Sequence, residues 1–218
     1  MAGEIRCVCF DWGGVILRIC RSFEEGVTRA GLDLRPGTDA PDMKRRRHDL
    51  AHEYQIGRLS RDEFLARVSA AMGGVYSAME FERIHDAWLI EEYPGVDRLV
   101  ADLLASPRIE TAMLSNTNEL HWRRQSRTDP ELPHFPTAGR LKHRHASHLL
   151  GLAKPEETIY RAFERETGFV PASILFFDDL ADNIAAARSC GWHAEQIDHT
   201  GDTALQMRAH LRRYGVLK

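Results

Sequence analysis

A short apolar run, Ile5 to Phe10, ends in Asp11 and passes straight into Trp12-Gly13-Gly14-Val15. A strand that stops at an aspartate delivers a carboxylate to the rim of a sheet, and two glycines let the backbone turn sharply and approach a ligand closely. Three further polar groups follow in order, each at the end of its own apolar run: Ser115 after Glu110 to Leu114, Lys154 after Gly151-Leu152-Ala153, and Asp178-Asp179 after Ser173 to Phe177. Strands separated by helical stretches predict a parallel sheet covered on both faces, with ligands at the carboxyl ends of the strands. The fold class expected is therefore α/β, a doubly wound parallel sheet. Cys7 and Cys9 alternate along the first strand and read as small buried hydrophobes rather than a metal pair.

Between Arg18 and about Glu92 the pattern is helical, with no strong strand signal. Ser22 caps a helix running to Gly31, Pro36 to Pro41 reads as a loop, and a second helix covers Asp42 to Gln55. Ser60-Arg61-Asp62-Glu63 and Ser77-Ala78-Met79-Glu80 both fit the capping box, each followed by apolar residues at helical spacing. The expected organisation is a core of residues 1–17 and 93–218 with an inserted helical bundle, residues 18–92. Pro94 stands near the start of a helix through Leu104, and Asn118 caps a short helix holding His121 and Trp122. Gln125 to Lys142, with three prolines, reads as a long loop. A helix over Glu156 to Thr167, another over Ala181 to Cys190 and a last strand, His193 to Ile197, complete the pattern.

A net charge of -3 argues against a nucleic-acid protein, which would carry a broad basic face, but leaves room for a local pocket that binds a small anion. No apolar run approaches membrane-spanning length, and Met1 to Glu4 lead directly into a strand instead of a signal peptide. With four cysteines in no framework spacing, a cytoplasmic location is expected.

Carboxylates crowded together from Asp11, Asp178 and Asp179 are unfavourable unless a cation neutralises them, and hard oxygen ligands of this kind suit Mg²⁺. The plainer reading of the Asp pair is an N-cap for the helix from Ala181. Ser115, followed by main-chain amides and a helix start, offers donors to an anion, although a lone serine there is more often only a cap. Lys154 is a fixed cation just ahead of a helix, where the dipole disfavours it unless something anionic lies nearby. Together these groups describe phosphoryl transfer.

The four segments Phe10-Asp11-Trp12-Gly13-Gly14-Val15, Leu114-Ser115-Asn116-Thr117-Asn118, Gly151-Leu152-Ala153-Lys154-Pro155-Glu156 and Phe176-Phe177-Asp178-Asp179-Leu180-Ala181-Asp182-Asn183 resemble the signatures of the haloacid dehalogenase superfamily of phosphohydrolases. Within it the chain is most similar to the α-D-glucose-1-phosphate phosphatase group, which shares the Ser-Asn-Thr-Asn run followed by His121, the Lys-Pro-Glu and the Asp-Asp pair. The resemblance implies that Asp11 attacks phosphorus and becomes an aspartyl phosphate. It also implies Mg²⁺ held by Asp11, the main-chain carbonyl of Gly13 and Asp178 or Asp179, steadied by Asn183. Ser115, Asn116, Lys154 and His121 would bind the substrate, a small phosphorylated metabolite such as an anomeric hexose phosphate. The helical insertion would be a cap closing over the site.

One position departs from that pattern. Most phosphatases of the superfamily carry a second aspartate two residues after the nucleophile to protonate the leaving alcohol, and here that position is Gly13. Such general acid help is typically worth about 10² to 10⁴ in rate. Three readings follow: a leaving group that departs easily, a proton from elsewhere with His121, His48, His52 and Glu53 as candidates, or a degenerate site that binds phosphate without turnover. A hydrolytic dehalogenase also lacks that aspartate but needs no metal, so the Asp pair speaks against it. Lys44, the one lysine of the insertion, raises a phosphonatase reading, against which Lys154-Pro155 stands. The basic run Lys44 to Arg47 reads first as a solvated helix face and second as a patch for the distal part of an anionic substrate. His143, His145 and His148 make a weak metal candidate, and Trp88 and Trp122 read as packing residues.

Overall fold

Residues 4–126 and 132–218 are described by a computed structural model. Five strands form one sheet in the order β5-β4-β1-β6-β7: β1 is Cys7–Phe10, β4 Glu110–Ser115, β5 His143–Ala146, β6 Ile174–Asp178 and β7 His193–Gln196. Every pairing is parallel, and β1 lies at the centre between β4 and β6. The chain therefore winds outward from β1 in both directions, and the switch point of a doubly wound sheet lies beside Asp11.

The central strands alternate in what they bury. Val8, Phe10, Met113, Leu175 and Phe177 join one apolar cluster with Leu99, Val100 and Leu103 of α5 (Val96–Leu104) and Met207 and Leu211 of α11 (Thr203–Arg213). Cys7, Cys9, Ala112, Leu114, Ile174 and Phe176 join the opposite one with Ile159, Tyr160 and Phe163 of α9 (Glu157–Thr167) and Ile184 and Ala187 of α10 (Ala181–Ser189). Period-two alternation on strands covered on both faces produces this division. Both cysteines are fully buried, and burial pushes their thiols up, as fits inert packing residues.

Four helices stand between β1 and α5 in the chain: α1 (Phe23–Arg29), α2 (Pro41–Gln55), α3 (Arg61–Ala71) and α4 (Ala78–Asp86). Ser22 caps α1, and both capping boxes form as read, Ser60 with Glu63 and Ser77 with Glu80. The helices share a third apolar cluster that includes Phe23, Tyr54, Phe64, Val68, Tyr76 and Phe81.

The expectation of helices alone from Arg18 to Glu92 needs correction. β2 (Leu17–Ile19) and β3 (Leu89–Glu92) pair antiparallel, with Arg18 opposite Glu91 and their side chains 3.2 Å apart. A three-residue strand is too short to display a period, and the charges of β3 mask it. The chain thus enters and leaves the four helices through one ribbon. The stretch read as a loop is partly structured: α6 (Glu119–Arg123), capped by Asn118, precedes it, and α7 (Pro136–Gly139) lies within it, fixed where Thr137 donates to Glu92. Part of that loop, residues 127–131, lies outside the described residues. A four-residue helix, α8 (Ser147–Leu150), follows β5. β5 and α11 had no counterpart in the sequence reading.

Candidate active site

The carboxyl ends of β1, β4 and β6 meet, and each contributes a polar side chain. Asp11 follows β1, held where its amide donates to Phe177 O at 2.8 Å, while the Trp12 amide donates to its Oδ1 at 2.7 Å. Ile16 N and Leu17 N both donate to Trp12 O, and Gly14 N to Leu17 O, so the segment after Asp11 folds into one tight turn. Gly14 has φ of +82°, and an added Cβ would collide with the Asp179 carboxyl and come within 2.6 Å of Arg21 Nη2. Only glycine fits there. Gly13 differs: its φ is ordinary, and an added Cβ would meet the tip of Ile19 at 2.9 Å.

Lys154 is buried and bridges two carboxylates, with Nζ 3.1 Å from Asp11 Oδ1 and 2.6 Å from Asp178 Oδ2. Burial alone would depress its ammonium, but Asp11 and Asp178 outweigh that and hold it above its ordinary value. Asn116 fixes this lysine by two main-chain bonds, donating to Lys154 O at 2.8 Å and accepting from Lys154 N at 2.9 Å. Asn183 Nδ2 lies 3.0 Å from both oxygens of Asp178, and Leu180 N donates to Oδ1 at 2.9 Å. Asp178 is therefore not the N-cap of α10, whose cap position, Leu180, makes no side-chain bond.

Burial raises the Asp11 carboxyl to about 7; Lys154 opposes the rise, the charges of Asp178 and Asp179 add to it, and a bond from Ser115 eases it. Oxygens of Asp11, Asp178 and Asp179 all lie within 4.8 Å of one another. Asp179 is paired with Arg21, Nη1 to Oδ2 at 2.7 Å. When all three carboxylates are ionised, Lys154 and Arg21 leave one net negative charge among them. That donor set fits a small hard cation such as Mg²⁺, which the carboxylates of Asp11 and one of the Asp pair would hold.

A cavity of about 760 Å³ opens from Gly13, Ser115 and Asn116 toward the helices. His121 borders it, but its ring is buried and stacked on His85 at 3.8 Å, with Nε2 bonded to His85 O at 3.0 Å. Burial lowers its pKa to about 4, so the ring is neutral near pH 7. His48 and His52 border the cavity on α2, whereas Glu53 is paired with Arg58 at 3.0 Å. The basic run divides: Lys44 and Arg47 border the cavity, and Arg45 pairs with Asp42 in solvent. Trp88, read as packing, also borders it. His143 and His145 pair with Glu110 and Glu166, and His148 with Thr117 O. Among the described residues the only group arranged like a metal site is Asp11, Asp178 and Asp179.

Arg21 and Gln55 were not singled out from sequence. Gln55 Nε2 donates to Asn116 O at 2.9 Å, which ties α2 to the loop after β4. Neither residue sits in a motif, and both act across the fold.

A family model for haloacid dehalogenase-like hydrolase matches residues 5–191. The chain belongs to the haloacid dehalogenase-like hydrolases. Among relatives of this hydrolase, phosphatase MT3486 of Mycobacterium tuberculosis is 40% identical over 58 residues, 27% of each chain. A mouse protein, acyl-CoA dehydrogenase family member 10, is 22% identical over 94% of the present chain and 19% of its own length. The chain thus spans well under a third of the curated relatives it matches. The haloacid dehalogenase-like hydrolase also superposes on a solved family enzyme, BT-2542 of Bacteroides thetaiotaomicron in complex with magnesium and inorganic phosphate. That likeness has a TM-score of 0.76 at 21% identity and covers 94% of this chain and 100% of that one.

Proposed function

We propose that this hydrolase cleaves a small phosphate monoester in a Mg²⁺-dependent reaction, through an aspartyl phosphate on Asp11. The observation that carries the reading is the Lys154 ammonium held between Asp11 and Asp178, at the sheet end where Ser115 and Asn116 also stand. Asp11 attacks phosphorus, the P–O bond to the leaving group breaks, and water then cleaves the acyl phosphate to restore the carboxylate. Lys154 offsets charge on Asp11 and on the phosphoryl oxygens, and the Ser115 hydroxyl and Asn116 amide donate to those oxygens. Asn183 and the Leu180 amide keep Asp178 in place. A bound Mg²⁺ supplies Lewis-acid neutralisation of the phosphoryl charge.

Residues 18–92 act as a cap over the cavity, with β2 and β3 as its stalk and α2 resting on the loop after β4. With glycine at position 13, the reaction is suited to leaving groups that depart as stabilised anions, of which anomeric sugar phosphates and acyl phosphates are two classes. Four buried free cysteines suit a reducing compartment such as the cytoplasm. Among the described residues no helix is long and apolar enough to cross a membrane.

The test is phosphate release from sugar, nucleotide, aryl and acyl phosphates, with Mg²⁺ and with chelator. Asp11→Asn should lower turnover by at least about 10³-fold. Metal-independent release, or full activity in that variant, would refute the aspartyl-phosphate route.

A further inference from the structure

The cavity beyond the phosphate end has a character of its own. One part of its wall is apolar and largely aromatic, with Phe23, Phe64, Phe81, Ile84, Trp88 and Ile19, while His48, His52 and Gln55 of α2 bring polar groups to the rest. A volume of about 760 Å³ lies in the upper part of the ~300–1,000 Å³ range of pockets that hold drug-sized ligands. Three residues of its lining carry a buried polar atom without a partner: Trp12 Nε1, Tyr54 Oη and His85 Nδ1.

Of these, Trp12 Nε1 and His85 Nδ1 are donors. The indole N–H can only donate. For His85 the hydrogen-bond network assigns the tautomer. Asn118 Oδ1 accepts from His121 N as the helix cap, so Asn118 Nδ2 faces His85 Nε2 at 3.1 Å as a donor. The acceptor nitrogen is then Nε2, and the proton of the neutral ring is on Nδ1. Two N–H groups buried without acceptors are costly unless a ligand supplies oxygens. The charged rim adds little selectivity, because Lys44 and Arg47 are set against Glu24 and Asp39 on the same cavity.

We propose that the leaving group bound here is an apolar, preferably aromatic body carrying acceptor oxygens, so that the substrate is an aryl or acyl phosphate larger and less hydroxylated than a hexose phosphate. This rests on the phosphohydrolase reading above. Gly13 leads to the same class by a separate route: a phenolate or carboxylate departs as a stabilised anion and needs no proton from position 13. A hexosyl group would instead set its ring hydroxyls against the apolar part of that wall.

Binding tests this without interference from intrinsic reactivity. Inhibition of acetyl phosphate hydrolysis by three kinds of phosphonate would be compared: arylalkyl phosphonates, the same compounds with a ketone at successive carbons, and a hexosyl phosphonate. The arylalkyl compounds should bind at least about tenfold tighter than the hexosyl one. At least one ketone should improve binding further, and Trp12→Phe or His85→Phe should erase that improvement while sparing the affinity of the plain hydrocarbon. Equal or tighter binding of the hexosyl phosphonate overturns the assignment, as does failure of every phosphonate to inhibit while acetyl phosphate is still turned over. Absence of phosphate release from all substrates would instead overturn the hydrolase reading itself.

Discussion

At the scale of single residues the two glycines after Asp11 have opposite tolerances. Gly14→Ala forces a Cβ into the Asp179 carboxyl at a φ that L-residues avoid, so it should abolish activity and lower the melting temperature. Gly13→Ala needs only the tip of Ile19 to move and should fold normally. On the same geometry Gly13→Asp should speed hydrolysis of alkyl phosphates, toward the ~10²-fold that a positioned general acid supplies. An unchanged rate on such esters would show that the missing acid is not limiting. Lys154→Met removes the shared cation from two buried carboxylates, and breaking a buried pair typically costs about 3–5 kcal/mol. The loss should appear as a lower urea midpoint in metal-free protein, partly restored by Mg²⁺.

At the scale of elements the capping boxes and the histidine stack make separate predictions. Ser60→Ala and Ser77→Ala should each cost about 1 kcal/mol, read from urea unfolding, because each leaves a helix amide without its acceptor. For the stack the sign follows from linkage. The folded pKa of His121 lies near 4, below the ~6.5 of an unfolded histidine, so the unfolded chain binds the proton first. Its contribution is complete above about pH 6.5 and is lost as pH falls toward 4, with about 2 kcal/mol gone between pH 7 and 5. His121→Gln should flatten that part of the pH dependence of the urea midpoint, and an identical slope in both proteins would remove the neutral pair from the account.

Elements were legible where a local rule wrote them. The caps at Ser22, Ser60, Ser77 and Asn118 are four-residue signals, and β1, β6 and the Ala112 to Leu114 part of β4 are apolar runs that lead into a polar residue. β2 and β3 were not legible because their stability lies in each other, more than seventy residues apart along the chain. In the site, Asp11, Ser115, Lys154 and Asp178 could be picked out because each ends an apolar run. The pairing of Arg21 with Asp179, and of Gln55 with the loop after β4, depends on how the helices sit on the sheet, which no run of residues records.

At the scale of the whole molecule the central strand of the sheet is also the first to be made. β1 must sit between β4 and β6, and its register partner across the second of these is Ile174 for Cys7. On a ribosome, then, Asp11 emerges long before any surface exists to receive it. The four helices that follow have mostly near neighbours in sequence, and such contacts form early, whereas distant strand pairing is slow. The order of synthesis therefore has the helical part compact while β1 is still unpaired, and the charged pocket is completed only when Asp178 leaves the exit tunnel. Pulse-labelled hydrogen exchange on stalled nascent chains should find amides of α3 and α4 protected before those of β1. The carboxylate proposed as the nucleophile waits for its full set of partners while the chain between β1 and β6 is made.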